Sequence, residues 1–128
     1  MRIDPYVSVD DVPFTISEKE IRKRWGPPLA ESRNDIALTE LDYGNVVYRF
    51  QDSGRLEEIT KAGQVLHFGK VAVPFALLPG FIRAHDPESF ERAAYLVSPR
   101  YGLAFVPGSP PWVTALARHC IDTWRAMS

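Results

Sequence analysis

The segment over residues 14–28 constrains the fold more than any other part of the sequence, because it specifies both ends of a helix. Ser17 and Glu20 have the spacing of a capping box, in which each side chain bonds to the backbone amide of the other residue. Gly26 is followed by two prolines, which cannot continue a helix. We therefore predict a short helix over residues 18–25. The side chains predicted to point into the core from this helix are Ile21 and Trp25.

After this helix, the sequence pattern changes from a helical period to the two-residue period of strands. The polar residues 29–35 predict a loop. The following stretches are alternating or rich in β-branched and aromatic residues, and glycines separate them at positions suited to tight turns. The predicted strands of this antiparallel meander lie at about residues 36–42, 46–50, 55–60 and 64–68.

The composition changes after Gly69, since seven of the eleven prolines follow it. The elements predicted here are a helical segment at 75–85 broken at Pro79-Gly80, a short helix at 86–93, and a hairpin of residues 94–97 and 103–106. Apolar residues then recur in steps of three and four, a pattern typical of an amphipathic helix. We predict that this last helix is opened by Ser109-Pro110-Pro111 and extends over about residues 110–126.

Together these elements predict a single α+β domain over residues 1–128, which is a suitable length for one hydrophobic core. We expect an antiparallel sheet of about six strands, formed by the meander and the hairpin, with the N-terminal and C-terminal helices packed on one face. Residues 14–68 would supply the first helix and the meander. Residues 69–128 would supply the proline-rich broken helices, the hairpin and the last helix. A Tyr-Gly pair precedes a strand in each half, at Tyr43-Gly44 and Tyr101-Gly102, which leaves an internal duplication open.

The charge balance and the single cysteine exclude several classes of protein. The net charge is −1, whereas nucleic-acid-binding proteins normally carry a strong basic excess. One cysteine cannot form an intramolecular disulfide or a multi-cysteine metal site. The N-terminus lacks the apolar core of a signal peptide, and no segment is apolar over the length of a membrane span. We expect a soluble protein of the bacterial cytoplasm that binds neither nucleic acid nor membrane.

The sequence contains no recognisable motif for catalysis or for cofactor binding. The glycines do not cluster into a phosphate-binding loop, and no nucleophile elbow occurs. The histidines lack the spacing of a helical metal site, so we predict no metal and no cofactor. Cys120 follows His119 directly, but adjacent helical side chains point about 100° apart, so the two cannot pair as nucleophile and base. We predict that Cys120 is a buried, inert thiol. This favours a non-enzymatic role while leaving catalysis open.

Two groups of residues are candidates for binding. Acidic side chains on neighbouring strands, with tyrosine and arginine residues of the kind enriched in interface hot spots, suggest a surface for a partner protein. The predicted partner-binding residues are Glu40, Asp42, Tyr43, Tyr48, Arg49, Glu57 and Tyr101, with Glu58 in the same acidic strip. The alternative is a small-molecule pocket, weakly catalytic if His85 and Asp86 act as a base. The residues predicted to line it are Phe75, Leu77, Phe81, Phe90 and Tyr95, with Arg83 and His85 as polar groups.

A resemblance to known modules covers about residues 14–60. It rests on Ile16-Ser17-Glu18-Lys19-Glu20-Ile21 followed by Trp25-Gly26-Pro27, then Leu41-Asp42-Tyr43, Val47-Tyr48-Arg49-Phe50 and Gly54-Arg55-Leu56-Glu57-Glu58-Ile59. This outline resembles the small α+β modules of bacterial toxin-immunity proteins and, more distantly, β-lactamase-inhibitor-like repeats. The resemblance implies a module that binds and blocks another protein through an exposed sheet face, and it transfers no functional residue. We therefore expect an immunity-type protein that neutralises a toxin by occlusion; a structural homo-oligomer subunit is the third hypothesis.

Overall fold

A computed structural model of the chain describes residues 1–108 and 110–126. The chain begins with a small three-stranded sheet of β1 (Ile3–Asp4), β2 (Ser8–Val9) and β3 (Val12–Pro13), followed by helix α1 (Glu18–Trp25). A first meander follows, with β4 (Ala30–Arg33), β5 (Thr39–Asp42), β6 (Val46–Phe50) and β7 (Leu56–Ala62). A hairpin of β8 (Val65–Phe68) and β9 (Val71–Pro74) leads through a 3₁₀ turn (Phe75–Leu77) to helix α2 (Leu78–His85). A second meander follows, with β10 (Phe90–Arg92), β11 (Tyr95–Ser98), β12 (Leu103–Phe105) and β13 (Trp112–Leu116), before helix α3 (Cys120–Ala126).

The two meanders join into one antiparallel sheet of eight strands, in the order β10-β11-β12-β13-β7-β6-β5-β4. The junction is the pairing of β13 with β7, in which Thr114 lies opposite Thr60. The pairing extends two residues to each side of this pair, to Trp112 opposite Ala62 and to Leu116 opposite Glu58. Each half consists of a helix followed by four strands. The strand order is therefore symmetric about the β13–β7 pair, with one four-stranded meander on each side.

The contacts of the first two helices repeat in the same way. Arg22 of α1 pairs with Glu31 of β4 at 2.8 Å, and Arg83 of α2 pairs with Glu91 of β10 at 3.0 Å. In both helices the residue before the arginine is a fully buried isoleucine, Ile21 or Ile82. Both isoleucines belong to one large core, so α1 and α2 cover the same face of the sheet. The sheet residues of this core include Leu41, Tyr48, Phe50, Ile59, Leu96, Leu103 and Phe105.

A second, smaller core lies on the opposite face of the sheet, beneath α3. It consists of Val97, Ala104, Leu116, Ala117, Cys120 and Ile121, with Tyr6, Phe14, Phe90, Tyr95 and Trp124 packed at its edge. The sheet residues of this core all come from the second meander. The α+β class and the antiparallel sheet are as predicted, but α1 and the C-terminal helix pack on opposite faces rather than on one.

The strand count was underestimated, since the main sheet has eight strands and not about six. Residues 30–33 were predicted as a loop but form β4, whose four side chains are all exposed. Because neither face of this edge strand is buried, its sequence lacks the alternation of apolar and polar residues that indicates a strand. The predicted strand at 64–68 exists as β8, but it pairs with β9 in a separate hairpin and does not extend the meander.

The prediction of one long C-terminal helix was wrong. Residues 112–116 form β13, and the helix begins only at Cys120. Val113 and Leu116 are buried on opposite faces of the sheet, and this two-sided burial produced apolar spacings that mimic a helix. Ser109, predicted to help open this helix, lies outside the described residues.

Of the two predictions near α2, one needs correction. The predicted break or kink of the segment 75–85 lies just before Pro79, where the 3₁₀ turn ends at Leu77 and α2 begins at Leu78, and Pro79 itself lies in the first turn of α2, where no backbone donor is required. Asp86 does not begin a second helix, and β10 follows it instead. The Asp86 carboxylate accepts bonds from the Ser98 hydroxyl at 2.7 Å and from the Arg100 amide at 3.0 Å. It therefore ties the end of α2 to the turn after β11.

Helix α1 and its capping box are confirmed. The Glu20 amide donates to Ser17 Oγ at 3.1 Å, and the Ser17 amide donates to Glu20 Oε1 at 3.1 Å. Gly26 ends the helix with a φ of 80°, which favours glycine. Trp25, in contrast, was predicted to point into the core but is 52% exposed. Within residues 1–108 and 110–126, no helix combines the length and the apolar character needed to cross a membrane.

Candidate functional site

Apart from Glu57 at the irregular end of β7, the face of β4–β7 that points away from α1 has no buried side chain. We call it the open face. Its residues are Ala30, Ser32, Glu40, Asp42, Val47, Arg49, Glu58, Thr60 and Ala62. On the same side of the sheet, the second meander is covered by α3. At the border between the two halves, Glu58 and residues of α3 line the same cleft.

A polar network lies at the centre of the open face, around Arg49. Its guanidinium donates to Glu40 Oε1 at 3.0 Å and to Thr60 Oγ1 at 2.6 Å, and it lies 3.8 Å from Glu58 Oε1. Thr60 Oγ1 is 2.8 Å from Thr114 Oγ1, so the network continues across the junction of the two meanders. Asp42 adds a third carboxylate to this face. Three carboxylates against one guanidinium leave the open face acidic.

Glu58 is the least solvated carboxylate of this network, with 13% of its side chain exposed. Desolvation by burial raises the pKa of Glu58, and the nearby negative charges of Glu57 and Glu40 act in the same direction. The Arg49 guanidinium offsets this only in part. The folded protein therefore favours the protonated form of Glu58 more than an unfolded chain does.

A second polar cluster lies beside the open face, where β7 is irregular. Arg49 pairs with Glu58 and Phe50 pairs with Leu56, so Glu57 is an extra residue on β7. Such a β-bulge changes the direction of a side chain. The Glu57 side chain is only 3% exposed.

The Glu57 carboxylate meets two side chains from the start of α3. Oε2 accepts from Cys120 Sγ at 3.1 Å and also bonds to His119 Nε2. Oε1 has no hydrogen-bond partner among the described residues, and the guanidinium of Arg55 lies 3.6 Å away. The chain holds this arrangement through its backbone, because the Ala117 amide donates to the Glu57 carbonyl at 2.9 Å.

The Glu57 cluster opens into a cleft of about 380 Å³ between α3 and the first meander. The residues lining the cleft are Ile36, Leu38, Gln51, Glu57, Glu58, His119, Cys120, Thr123 and Trp124. Desolvation strongly raises the pKa of the Cys120 thiol, and the hydrogen bond to Glu57 and its charge raise it further. The thiol is thus held in its protonated form, which is a poor nucleophile.

The predicted burial of Cys120 is confirmed. His119 lies in the turn before α3, while Cys120 is its first residue. Both side chains therefore reach the same carboxylate, which their spacing in a continuous helix did not predict. Glu57 stands 62 residues from His119 in the sequence, and no local pattern connects them.

The seven predicted partner-binding residues do not form one surface. Glu40 and Asp42 lie together with Arg49 on the open face, where Glu58 of the predicted acidic strip also lies, whereas Glu57, the fourth member of that strip, does not. Tyr48 is buried in the large core, and Glu57 is buried against α3. The remaining two pack on the helical side of the sheet: the Tyr43 hydroxyl donates to the Gly26 carbonyl at 2.8 Å, and Tyr101 contacts Phe68 and Phe81.

The residues predicted to line a small-molecule pocket are also separated. Phe75 and Phe81 pack in the core beneath α1 and α2, whereas Phe90 and Tyr95 pack beside α3 on the opposite side of the sheet. The other members are the 64% exposed Leu77, Arg83 in its pair with Glu91, and the exposed His85. The carboxylate of Asp86 is buried and bonded to Ser98 and Arg100, so it does not serve His85 as a base partner.

Comparison with known proteins adds no relative. No protein-family model matches the chain, and no curated protein or solved structure shows significant similarity to it. The chain is an α+β protein with a mostly antiparallel sheet and three helices.

Proposed function

We propose that this protein is a non-enzymatic binding module whose open face docks against another protein. The observation that supports the proposal is that the two faces of the eight-stranded sheet are covered unequally. Helices α1 and α2, together with the small sheet β1–β3 and the hairpin β8–β9, pack in the core on one face of the sheet, while α3 covers only the second meander on the other face. Apart from Glu57 at its border with α3, the remaining half presents only exposed or half-buried side chains.

The chemistry of the open face defines the kind of partner. Its carboxylates outnumber its guanidinium by three to one, which favours a basic surface on the partner. Trp112 is 37% exposed and lies opposite Ala62 at the end of the β13–β7 pair, on the same side of the sheet. Exposed aromatic residues beside a polar network are typical of protein interfaces.

The particular role that we propose is that of an immunity-type protein, which neutralises a toxin by covering its functional surface. The tandem arrangement of two helix-plus-meander units supports this role, because it builds one broad sheet whose free face extends over four strands. Occlusion requires surface complementarity and no catalytic group. Co-expression with a candidate toxin encoded nearby should restore growth, and open-face variants should fail to do so.

The test is affinity capture from a lysate of the source cells with three baits. The first is the wild-type chain, and the second carries Ser32→Arg and Ala62→Arg, which place bulky cations on the open face. The matched control carries Ala72→Arg and Ala76→Arg, two exposed positions in β9 and the 3₁₀ turn. We expect one stoichiometric partner with the wild type and the control, and its loss with the open-face variant.

Three outcomes would count against the proposal. Folded bait that captures no partner would contradict a binding function. Loss of the partner with the control variant instead would place the interface elsewhere. A mass that rises with concentration in the absence of any partner would favour the homo-oligomer, whose exposed edge strands β4 and β10 could pair between copies.

A further inference from the structure

We propose that Glu57, His119 and Cys120 form a binding site for a zinc-type divalent cation, with one coordination position open to the cleft. This inference is independent of the proposed binding function. One ligand comes from the bulge in β7, and the other two come from the start of α3. An ion held there would bridge the first meander and the C-terminal helix.

The donor set and its geometry support the site. A carboxylate oxygen, an imidazole nitrogen and a thiolate sulfur are the three ligand types that Zn²⁺ uses in proteins. The ligand atoms of Glu57, His119 and Cys120 all lie within 4.8 Å of one another. In a tetrahedral zinc site, the usual bond lengths place ligand atoms about 3.3–3.8 Å apart. Small side-chain rotations would therefore bring all three atoms to one ion.

The unpartnered oxygen of Glu57 is an independent indication of a ligand. Its side chain is 3% exposed, yet Oε1 has no hydrogen-bond partner within the described part of the chain. A buried carboxylate with an unsatisfied oxygen is costly, because it has lost its water without gaining a donor. The Arg55 guanidinium lies 3.6 Å from Oε1, too far for a hydrogen bond, whereas a dication bound by both carboxylate oxygens would supply the missing partner. The other carboxylate oxygen already holds His119 and Cys120 beside it.

The cleft accounts for the open position. Three protein ligands leave the fourth site of a tetrahedral ion free, as in zinc sites that bind water or an exogenous group. Gln51, Thr123 and Trp124 line the same cleft of about 380 Å³, which has room for a small ligand. Binding replaces the S–H bond of Cys120 by a sulfur–metal bond. The thiol proton leaves to the solvent, so about one proton should be released per ion at neutral pH.

The experiment is a titration of the untagged, full-length chain with Zn²⁺, followed by calorimetry in two buffers of different ionisation enthalpy. Cobalt(II) serves as the spectroscopic probe, because thiolate coordination gives a charge-transfer band in the near ultraviolet. The variants are Cys120→Ser and His119→Gln. His119→Gln keeps a side chain that can donate a hydrogen bond to Glu57, so it is chosen to preserve the fold while removing the imidazole ligand. The control is His67→Gln, an exposed histidine on β8.

We expect the wild type to bind one Zn²⁺ with release of about one proton, and to show the cobalt–thiolate band. Each ligand variant should weaken binding by more than about 100-fold, since even the loss of a group that only supports a ligand costs 10–100-fold. The control should bind like the wild type. Absence of one-to-one binding by the wild type, or undiminished binding by His119→Gln, would overturn the site. Failure here would leave partner capture unchanged, so the two proposals are tested separately.

Discussion

Thr60 and Thr114 lie opposite each other at the junction of the two meanders, with their side-chain oxygens 2.8 Å apart. The pair lies at the centre of the strand order, with four strands on each side. It also belongs to the open face, because Thr60 accepts a hydrogen bond from Arg49. The contact that joins the two units is therefore continuous with the polar network on the surface that we propose for binding.

The threonine pair should stabilise the junction measurably. Thr60→Val removes a partner from both Arg49 and Thr114, so we expect it to lower the free energy of unfolding by about 1–2 kcal/mol. Thr114→Val should cost less, since the Thr114 hydroxyl bonds to Thr60 alone among the described residues. A double-mutant cycle by urea denaturation should give a coupling of about 0.5–1 kcal/mol. Strictly additive effects would show that the two hydroxyls do not interact in solution.

The buried Asp86 should contribute more to the free energy of unfolding than Glu91, an exposed acidic residue that pairs with Arg83 of α2. Its buried carboxylate accepts from Ser98, from the Arg100 amide and from the Glu88 amide. Asp86→Ala removes the acceptor of all three donors, so we expect a loss of about 3 kcal/mol or more. Glu91→Ala, which removes only the exposed pair with Arg83, should cost about 1 kcal/mol or less. Equal effects in thermal or urea denaturation would contradict this account of Asp86.

The raised pKa of Glu58 predicts a specific dependence of stability on pH. Because the folded state binds this proton more tightly than the unfolded state, the stabilising contribution is complete below the unfolded pKa of about 4.3. It is lost as the pH rises through the higher folded pKa. Glu58→Gln cannot ionise, so its stability relative to the wild type should increase as the pH rises from acid to neutral.

Urea denaturation across this pH range, with the exposed Glu88→Gln as the control, tests the prediction for Glu58. The difference in free energy of unfolding between Glu58→Gln and the wild type could instead stay constant or shrink as the pH rises. Either result would show that Arg49 fully compensates the charge of Glu58.

Cys120 should react slowly with thiol reagents in the metal-free protein. Burial and the bond to Glu57 both raise the pKa of the thiol, so little thiolate is present at pH 8. We expect modification by a disulfide reagent to be at least about 10-fold slower than in the unfolded chain. Glu57→Gln removes the negative charge beside the sulfur and should accelerate the reaction. A folded wild type that reacts as fast as the unfolded chain would contradict the described position of Cys120.

Local signals made part of the fold predictable. Helix α1 could be predicted because Ser17, Glu20 and Gly26 specify its ends without reference to the rest of the chain. Strand β6 and the hairpin of β11 and β12 followed from β-branched residues and turn glycines. Strand β4 could not be predicted, because its exposed side chains carry no alternation. Strand β13 could not be predicted either, because Val113, Ala115 and Leu116 are buried on both faces of the sheet and their spacing resembles that of a helix.

The site was predictable only where it follows one sheet face. Glu40, Asp42 and Arg49 lie on consecutive paired strands, so alternation was enough to group them. The cluster of Glu57, His119 and Cys120 depends on a bulge and on the point at which α3 begins. Neither is encoded in a local pattern, and the residues are about sixty positions apart in the sequence. The pairing of β13 with β7, which brings Thr114 beside Thr60, is likewise a contact between residues distant in the sequence.

The most direct test of the open face is carboxyl footprinting of the protein alone and in its captured complex. A carbodiimide and a small amine label accessible carboxylates, and mass spectrometry gives the extent of labelling at each residue. We expect labelling of Glu40 and Asp42 to fall in the complex, while labelling of Glu88, an exposed residue beyond α2, stays the same. Unchanged labelling of Glu40 and Asp42, with protection at Glu88 instead, would contradict the assignment of the open face as the binding surface.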